Sequence, residues 1–288
     1  MTAVLLALLT AITYGLANYL APLLTRVHPL AGVLVVGQSV GFLGAGGLLL
    51  VVGGEVPDAR HLLYGVLAGV FNGLALGALY PAAAAGPLSI VIPLGATGGV
   101  VPVLVAIAGG EEPSALQLVG IPIAVVGVVL AAARKATPSA APRAAGSPAV
   151  QASRRTIVLT LCSVLGFGLF LTFFGKAAQD GPAWAIFSSR TALVVCTITV
   201  VLVRRPPVRV PRSALPALAL PGALLLIGTA AYGEATTQGL VSVVAVLATL
   251  APVVTVGLAV LLLGERLAAR QQVGVATALA GIVLLAAG

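Results

Sequence analysis

Long apolar runs separated by short polar breaks pattern this chain, and ten such runs can be drawn: residues 3–24, 30–52, 61–82, 87–109, 116–133, 156–175, 183–203, 214–235, 239–263 and 270–287. Each is close to what an α-helix needs to cross a hydrocarbon core of roughly 30 Å at about 1.5 Å per residue. The pattern predicts an all-α membrane protein of ten transmembrane helices. Only one connection is long. RKATPSAAPRAAGSPAVQASRR, residues 134–155, is rich in Pro, Ala and Ser, basic and too polar to bury, so it predicts a disordered linker.

That linker divides the runs five and five, and the two sides repeat one another. At a shift of 153, Gly15 meets Gly168, Pro29 meets Pro182, Gly69 meets Gly222, Gly86 meets Gly239 and Ser89 meets Ser242. At a shift of 154, Gly110-Glu111 meets Gly264-Glu265, Gln117 meets Gln271, Gly120 meets Gly274 and Gly127 meets Gly281. Five is odd, so the second copy enters the membrane from the opposite side. The expected architecture is therefore two inverted five-helix repeats, 1–133 and 156–288, joined by the linker 134–155.

Composition narrows the function. Hydrophobic residues make up 60% of the chain and charged ones 8%, against roughly 25% charged in a soluble domain. A net charge of +8 raises the question of nucleic acid, but the basic residues lie in loops between spans and no binding motif accompanies them, so the excess reads as membrane topology. The loops after the odd-numbered spans and the linker hold twelve Lys and Arg; the opposite face holds Arg60 and Lys176, and Arg190 lies within a span. Six acids, Glu55, Asp58, Glu111, Glu112, Asp180 and Glu234, fall on or near that opposite face. The bias predicts termini outside and the linker in the cytoplasm. The first run follows Met1-Thr2 without a basic segment and reads as a retained helix rather than a cleaved signal. Cys162 and Cys196 fall in apolar runs and read as free thiols. His28 and His61 fall in loops on opposite faces, and no metal, cofactor or nucleophile constellation is legible, so no enzyme is expected.

Candidate site residues are the polar groups that a bilayer makes costly. Arg190, in IFSSRTAL, lies deep in its span and is placed to bind an anionic or carboxylate group or to hold Glu234. Its repeat-related position falls between Gly37 and Gln38, which makes Gln38 the candidate for the equivalent place as a neutral polar contact. Asn72, Tyr14, Asn18, Tyr232 and Trp184 offer hydrogen bonds and aromatic walls. Glu234, the acid inside or at the end of a span, is the coupling candidate or else a solvated interfacial group. Pro93, Gly98, Gly99 and Pro102 predict a break in the fourth span, where unwound backbone would face substrate. Gly65, Gly69, Gly73 and Gly77 read as a packing stripe.

The five-plus-five duplication, the turns AAAAGPLS and ATTQGLVS, and above all LGERLAARQQVGVATALAGIVLL at the end of the chain resemble the drug/metabolite transporter superfamily, in particular its EamA-like ten-span members. The resemblance implies an inner-membrane secondary transporter of small metabolites, amino acids or amphipathic compounds, often an exporter, working by alternating access around a midplane cavity. It also implies termini in the cytoplasm, against the charge count. Small multidrug relatives carry a proton-binding carboxylate in the first span, where this chain has none, so proton-driven export of a dication is disfavoured and a uniporter, a counter-substrate exchanger or coupling through Glu234 alone fits better. The alternative is a non-transporting membrane scaffold or lipid-handling subunit.

Overall fold

The computed structural model describes residues 1–85, 96–132, 154–263 and 268–288. Pro93, the Gly264-Glu265-Arg266 turn and the linker up to residue 153 lie outside the described residues. Eleven α-helices follow in order: α1 Thr2–Thr25, α2 Leu30–Val52, α3 Ala59–Ala85, α4 Val100–Ala108, α5 Ala115–Ala132, α6 Arg154–Ala178, α7 Pro182–Arg204, α8 Leu215–Gln238, α9 Val241–Ala248, α10 Ala251–Leu263 and α11 Ala269–Ala287. A 3₁₀ turn, Ala96–Gly99, leads into α4. Among the described residues nine segments are long and apolar enough to cross a membrane, with α9 and α10 taken as one, and the fourth span supplies a shorter apolar helix, Thr97–Ala108. The chain is a multi-pass membrane protein, and lipid-length apolar surface remains outside the core, as at Leu43 (69% exposed) and Val283 (65% exposed).

Two boundaries differ instructively from the sequence reading. Arg154 and Arg155 belong to α6 rather than to the linker, because the helix starts before its apolar run does. The ninth span is two helices broken at Thr249–Leu250. Pro252 has no N–H to give the Ala248 carbonyl, and Leu250 N–H turns back to Leu247 O at 3.2 Å instead. Between α6 and α7 the chain reverses in three residues; Gly181 takes φ 134°, a conformation side chains disfavour, and Pro182 starts α7 with φ already set.

The packing obeys the inverted repeat atom by atom. Gly15 abuts Val254 and Ala251 O, and Gly168 abuts Val101 and Gly98 O, every residue displaced by the same 153 positions. Gly120 lies against Leu284–Leu285 as Gly274 lies against Leu130–Ala131, all displaced by 154. Helix pairs follow the same rule: α3 packs on α6 as α8 packs on α1, α3 on α7 as α8 on α2, and α4 on α6 as α10 on α1. The consequence is that the repeats interleave rather than sit side by side. One body is built from α1, α2, α8, α9 and α10, the other from α3, α4, α6 and α7, and α5 pairs with α11 along the axis. The bodies meet where α2 lies on α7, α4 on α9, and α8 on α6 and α7.

Candidate functional site

Arg190 stands at the meeting of the two bodies. It is the ninth residue of α7, and Gln38 is the ninth residue of α2, which runs the other way, so each lies about 12 Å along its helix from opposite faces. The neighbouring crossings are glycine-made. A Cβ at Gly222 would overlap Gly37 O, which brings α8 onto α2 beside Gln38, and a Cβ at Gly69 would overlap Ser189 O, which seats α3 against α7. Gly222, Leu225 and Thr229 share one face of α8 at helical spacing, and that face meets the arginine.

Arg190 is 5% exposed. Its Nη2 donates to Leu225 O at 2.9 Å and to Thr229 Oγ1 at 2.6 Å, and its Nη1 donates to Gln38 Oε1 over 3.5 Å. Thr229 passes its own proton to Leu225 O at 2.6 Å and lies 3.0 Å from Tyr14 Oη. All these partners are neutral. Arg190 pairs with no carboxylate among the described residues, and its buried Nε has no hydrogen bond. A charge at this depth costs about 2.5–3.5 kcal/mol on insertion scales unless something compensates it. The under-used side of the guanidinium faces Gly41, where an added Cβ would lie 3.6–3.7 Å from Cδ, Nε and Nη1. The centre is thus a desolvated cation held by neutral dipoles, with Nε unpaired and one N–H of Nη1 left over for an acceptor, which suits a carboxylate or another small anion.

Trp184, Phe187 and Arg190 lie at successive three-residue steps on α7, so they form a column from one face inward. Phe187 stacks on Phe42 of α2 at 5.8 Å and meets Trp184 edge-on at 6.2 Å. The remaining candidates are elsewhere. Tyr232 is fully buried in the core, its hydroxyl donating to Leu171 O at 3.2 Å. Asn18 is exposed on α1, and Asn72 is half-buried on α3. Glu234 is exposed and accepts from Gln238 Nε2 at 2.6 Å, more than a turn beyond the arginine's contacts at Leu225 and Thr229. Gly98 and Gly99 lie in the 3₁₀ turn, with Pro102 inside α4, and Gly99 faces Thr249, so the two interrupted spans meet at their breaks.

Sequence reasoning missed two further groups. Thr229 is the one hydroxyl in the otherwise apolar stretch 215–231, a signal that helical spacing from Leu225 would have strengthened. Glu111, in the turn before α5, reaches the start of α9: its carboxylate accepts from Val241 N–H at 2.7 Å and from Ser242 N–H at 3.0 Å and Oγ at 2.7 Å. The structure also brings together a His–Asp group that the sequence did not reveal. His61 Nδ1 lies 2.7 Å from Asp58 and 3.4 Å from Asp180, a pairing across repeats that α3–α6 packing creates. The His61 backbone N–H and ring hold the Asp58 carboxyl below its ordinary range.

Membrane-length helices in an inverted duplication define a multi-pass membrane fold. A solved crystal structure of a protein shares it over 98% of this chain and 95% of that one, with a TM-score of 0.77 at 14% identity. Residues 154–287 match the model of the EamA-like transporter family, and the chain belongs to that family. An uncharacterized protein of Methanocaldococcus jannaschii is 30% identical over 131 residues, 45% of this chain and 95% of its own, so that relative is about one repeat long.

Proposed function

We propose that the protein is a plasma-membrane secondary carrier, acting as an exporter or exchanger of small solutes that bear a carboxylate or comparable anionic group, amino acids among them. The observation that carries this reading is Arg190, buried between the two bodies with neutral partners and an unpaired Nε. Arg190 binds the anionic group, Gln38, Thr229 and Tyr14 orient it, and the bodies alternate around it. With Glu234 exposed and bonded to Gln238, a counter-substrate rather than a proton on that residue completes the cycle.

A thermal-shift panel on detergent-purified protein tests the reading, because a ligand at 100 times its Kd stabilises the folded state by about 2.7 kcal/mol. Carboxylates are expected to raise the melting temperature and their uncharged amides are not. Equal shifts from acid and amide would contradict the anion reading, and no shift from any amino acid, drug or nucleoside would favour the scaffold alternative.

Orientation follows the twelve-to-two bias of Lys and Arg. In a chain whose Cys162 and Cys196 are replaced by Ala, Ser139→Cys is expected to react with an impermeant thiol reagent only from the cytoplasmic side. Reaction only from outside would reverse the topology.

A further inference from the structure

Met1, Gly288 and the turns 53–58, 109–114, 179–181 and 239–240 alternate onto one face of the protein, as Gly239 beside Ala3, Gly288 beside Ser114 and Asp58 beside Asp180 show. From Arg190, α7 runs back toward this terminal face through Phe187 and Trp184, while α2 runs out toward it from Gln38 through Phe42. Phe42 is four residues beyond Gln38 and Phe187 three before Arg190, so both rings stand on the terminal-face side of the binding centre, on the same helix faces. They come from different bodies, and their stack at 5.8 Å crosses the seam between them.

The opposite side lacks such a pair. The repeat-related positions are Leu34 and Val195, both aliphatic, and Val195 is 57% exposed. The fold therefore does not demand two aromatics here. On the same terminal face Glu111, carried by the turn that follows α4, accepts three hydrogen bonds from the first turn of α9. α4 and α9 belong to different bodies, so this carboxylate also closes the seam.

We propose that Phe42 and Phe187 form the gate between Arg190 and the terminal face, and that Glu111 is the clasp that holds it shut through Val241 and Ser242. This rests on the reading of Arg190 as the substrate centre, but closure has its own readout. Opening separates α2 from α7 and α4 from α9, breaking the aromatic stack and the three bonds to Glu111 together. The empty protein then exposes the arginine's surroundings to water.

The test is the reaction rate of a reporter thiol with an impermeant anionic thiol reagent in lipid nanodiscs. Gly41→Cys, with Cys162 and Cys196 replaced by Ala, places the thiol within ordinary contact distance of Arg190. The parent is expected to react slowly. Phe187→Ala is expected to react about ten-fold faster, the upper end of what an aromatic pair contributes, and Glu111→Gln at least about ten-fold faster, as for lost hydrogen bonds to a charged group. Phe42→Tyr keeps the stack and is expected to keep the slow rate, and Glu112→Gln serves as the neighbouring control. Should Phe187→Ala lose its fold, Phe187→Leu replaces it, with unchanged melting required of every variant scored. An unchanged rate in the Phe187 variant overturns the gate, and an unchanged rate in Glu111→Gln overturns the clasp. Either result leaves the anion reading standing, since no substrate takes part; failure of the carboxylate panel with faster thiol reaction here would instead sink that reading alone.

Discussion

Gly69→Leu and Gly127→Leu are expected to leave no folded, monodisperse protein in detergent, while Gly77→Leu is expected to behave as wild type. At Gly127 an added Cβ would overlap the Ala278 backbone nitrogen, and at Gly69 it would overlap Ser189 O. Neither obstacle is the flexible end of a side chain, so the helices must separate. Overpacking a tight interface costs about 1–3 kcal/mol for a few methylenes and more where backbone must move, and here it strikes α5–α11 and α3–α7, two contacts on which the interleaving of the repeats depends. Gly77 has nothing within 4 Å of an added Cβ, and leucine there gains about 1 kcal/mol of helix propensity over glycine. Size-exclusion profiles and melting temperatures of the three variants decide the matter. A folded Gly127→Leu protein would mean that α5 and α11 are not packed as described.

Arg190→Gln is expected to abolish recognition of anionic solutes with little effect on folding. Losing one partner of a buried, hydrogen-bonded charge pair costs about 2–5 kcal/mol of binding, or from about thirty-fold to several thousand-fold in affinity at about 1.4 kcal/mol per ten-fold. The fold has less to lose. No carboxylate among the described residues pairs with the arginine, so its removal relieves a desolvated cation, while glutamine retains a donor for Thr229 or Leu225 O. Arg190→Lys is expected to recover only part of the affinity, because an ammonium lacks the planar fork that meets a carboxylate with two donors. A strongly destabilised Arg190→Gln protein would recast the arginine as a structural strut between α7 and α8.

The duplication was legible because it is written in glycines. Gly15 and Gly168, or Gly127 and Gly281, mark close approaches that only the smallest residue permits, and the shift that aligned them also predicts their neighbours. Gln38 as the neighbour of Arg190's counterpart came from nearly that same shift, one position off, and the two do meet. Partner choice was not legible. Helices apolar on every side say nothing about which neighbour each one finds, so the mixed composition of the two bodies was hidden, and with it the role of α8. The stripe Gly65–Gly77 looked uniform, yet only its first three members touch α7. Glu111 read as a turn residue because two of its three donors are backbone amides 130 and 131 positions away, and backbone donors leave no mark in a sequence. The residue type of Tyr232 suggested a binding wall, but its hydroxyl is satisfied inside the core by Leu171 O.

The most direct test of the central claim is counterflow in liposomes reconstituted with wild type or Arg190→Gln, comparing a carboxylate with its uncharged amide. Wild type is expected to accumulate the labelled acid saturably against a trapped pool of the same acid and to ignore the amide, and Arg190→Gln, folded by its melting curve, is expected to transport neither. Equal counterflow of acid and amide, or full activity in the folded Arg190→Gln protein, would show that the buried guanidinium does not bind the cargo.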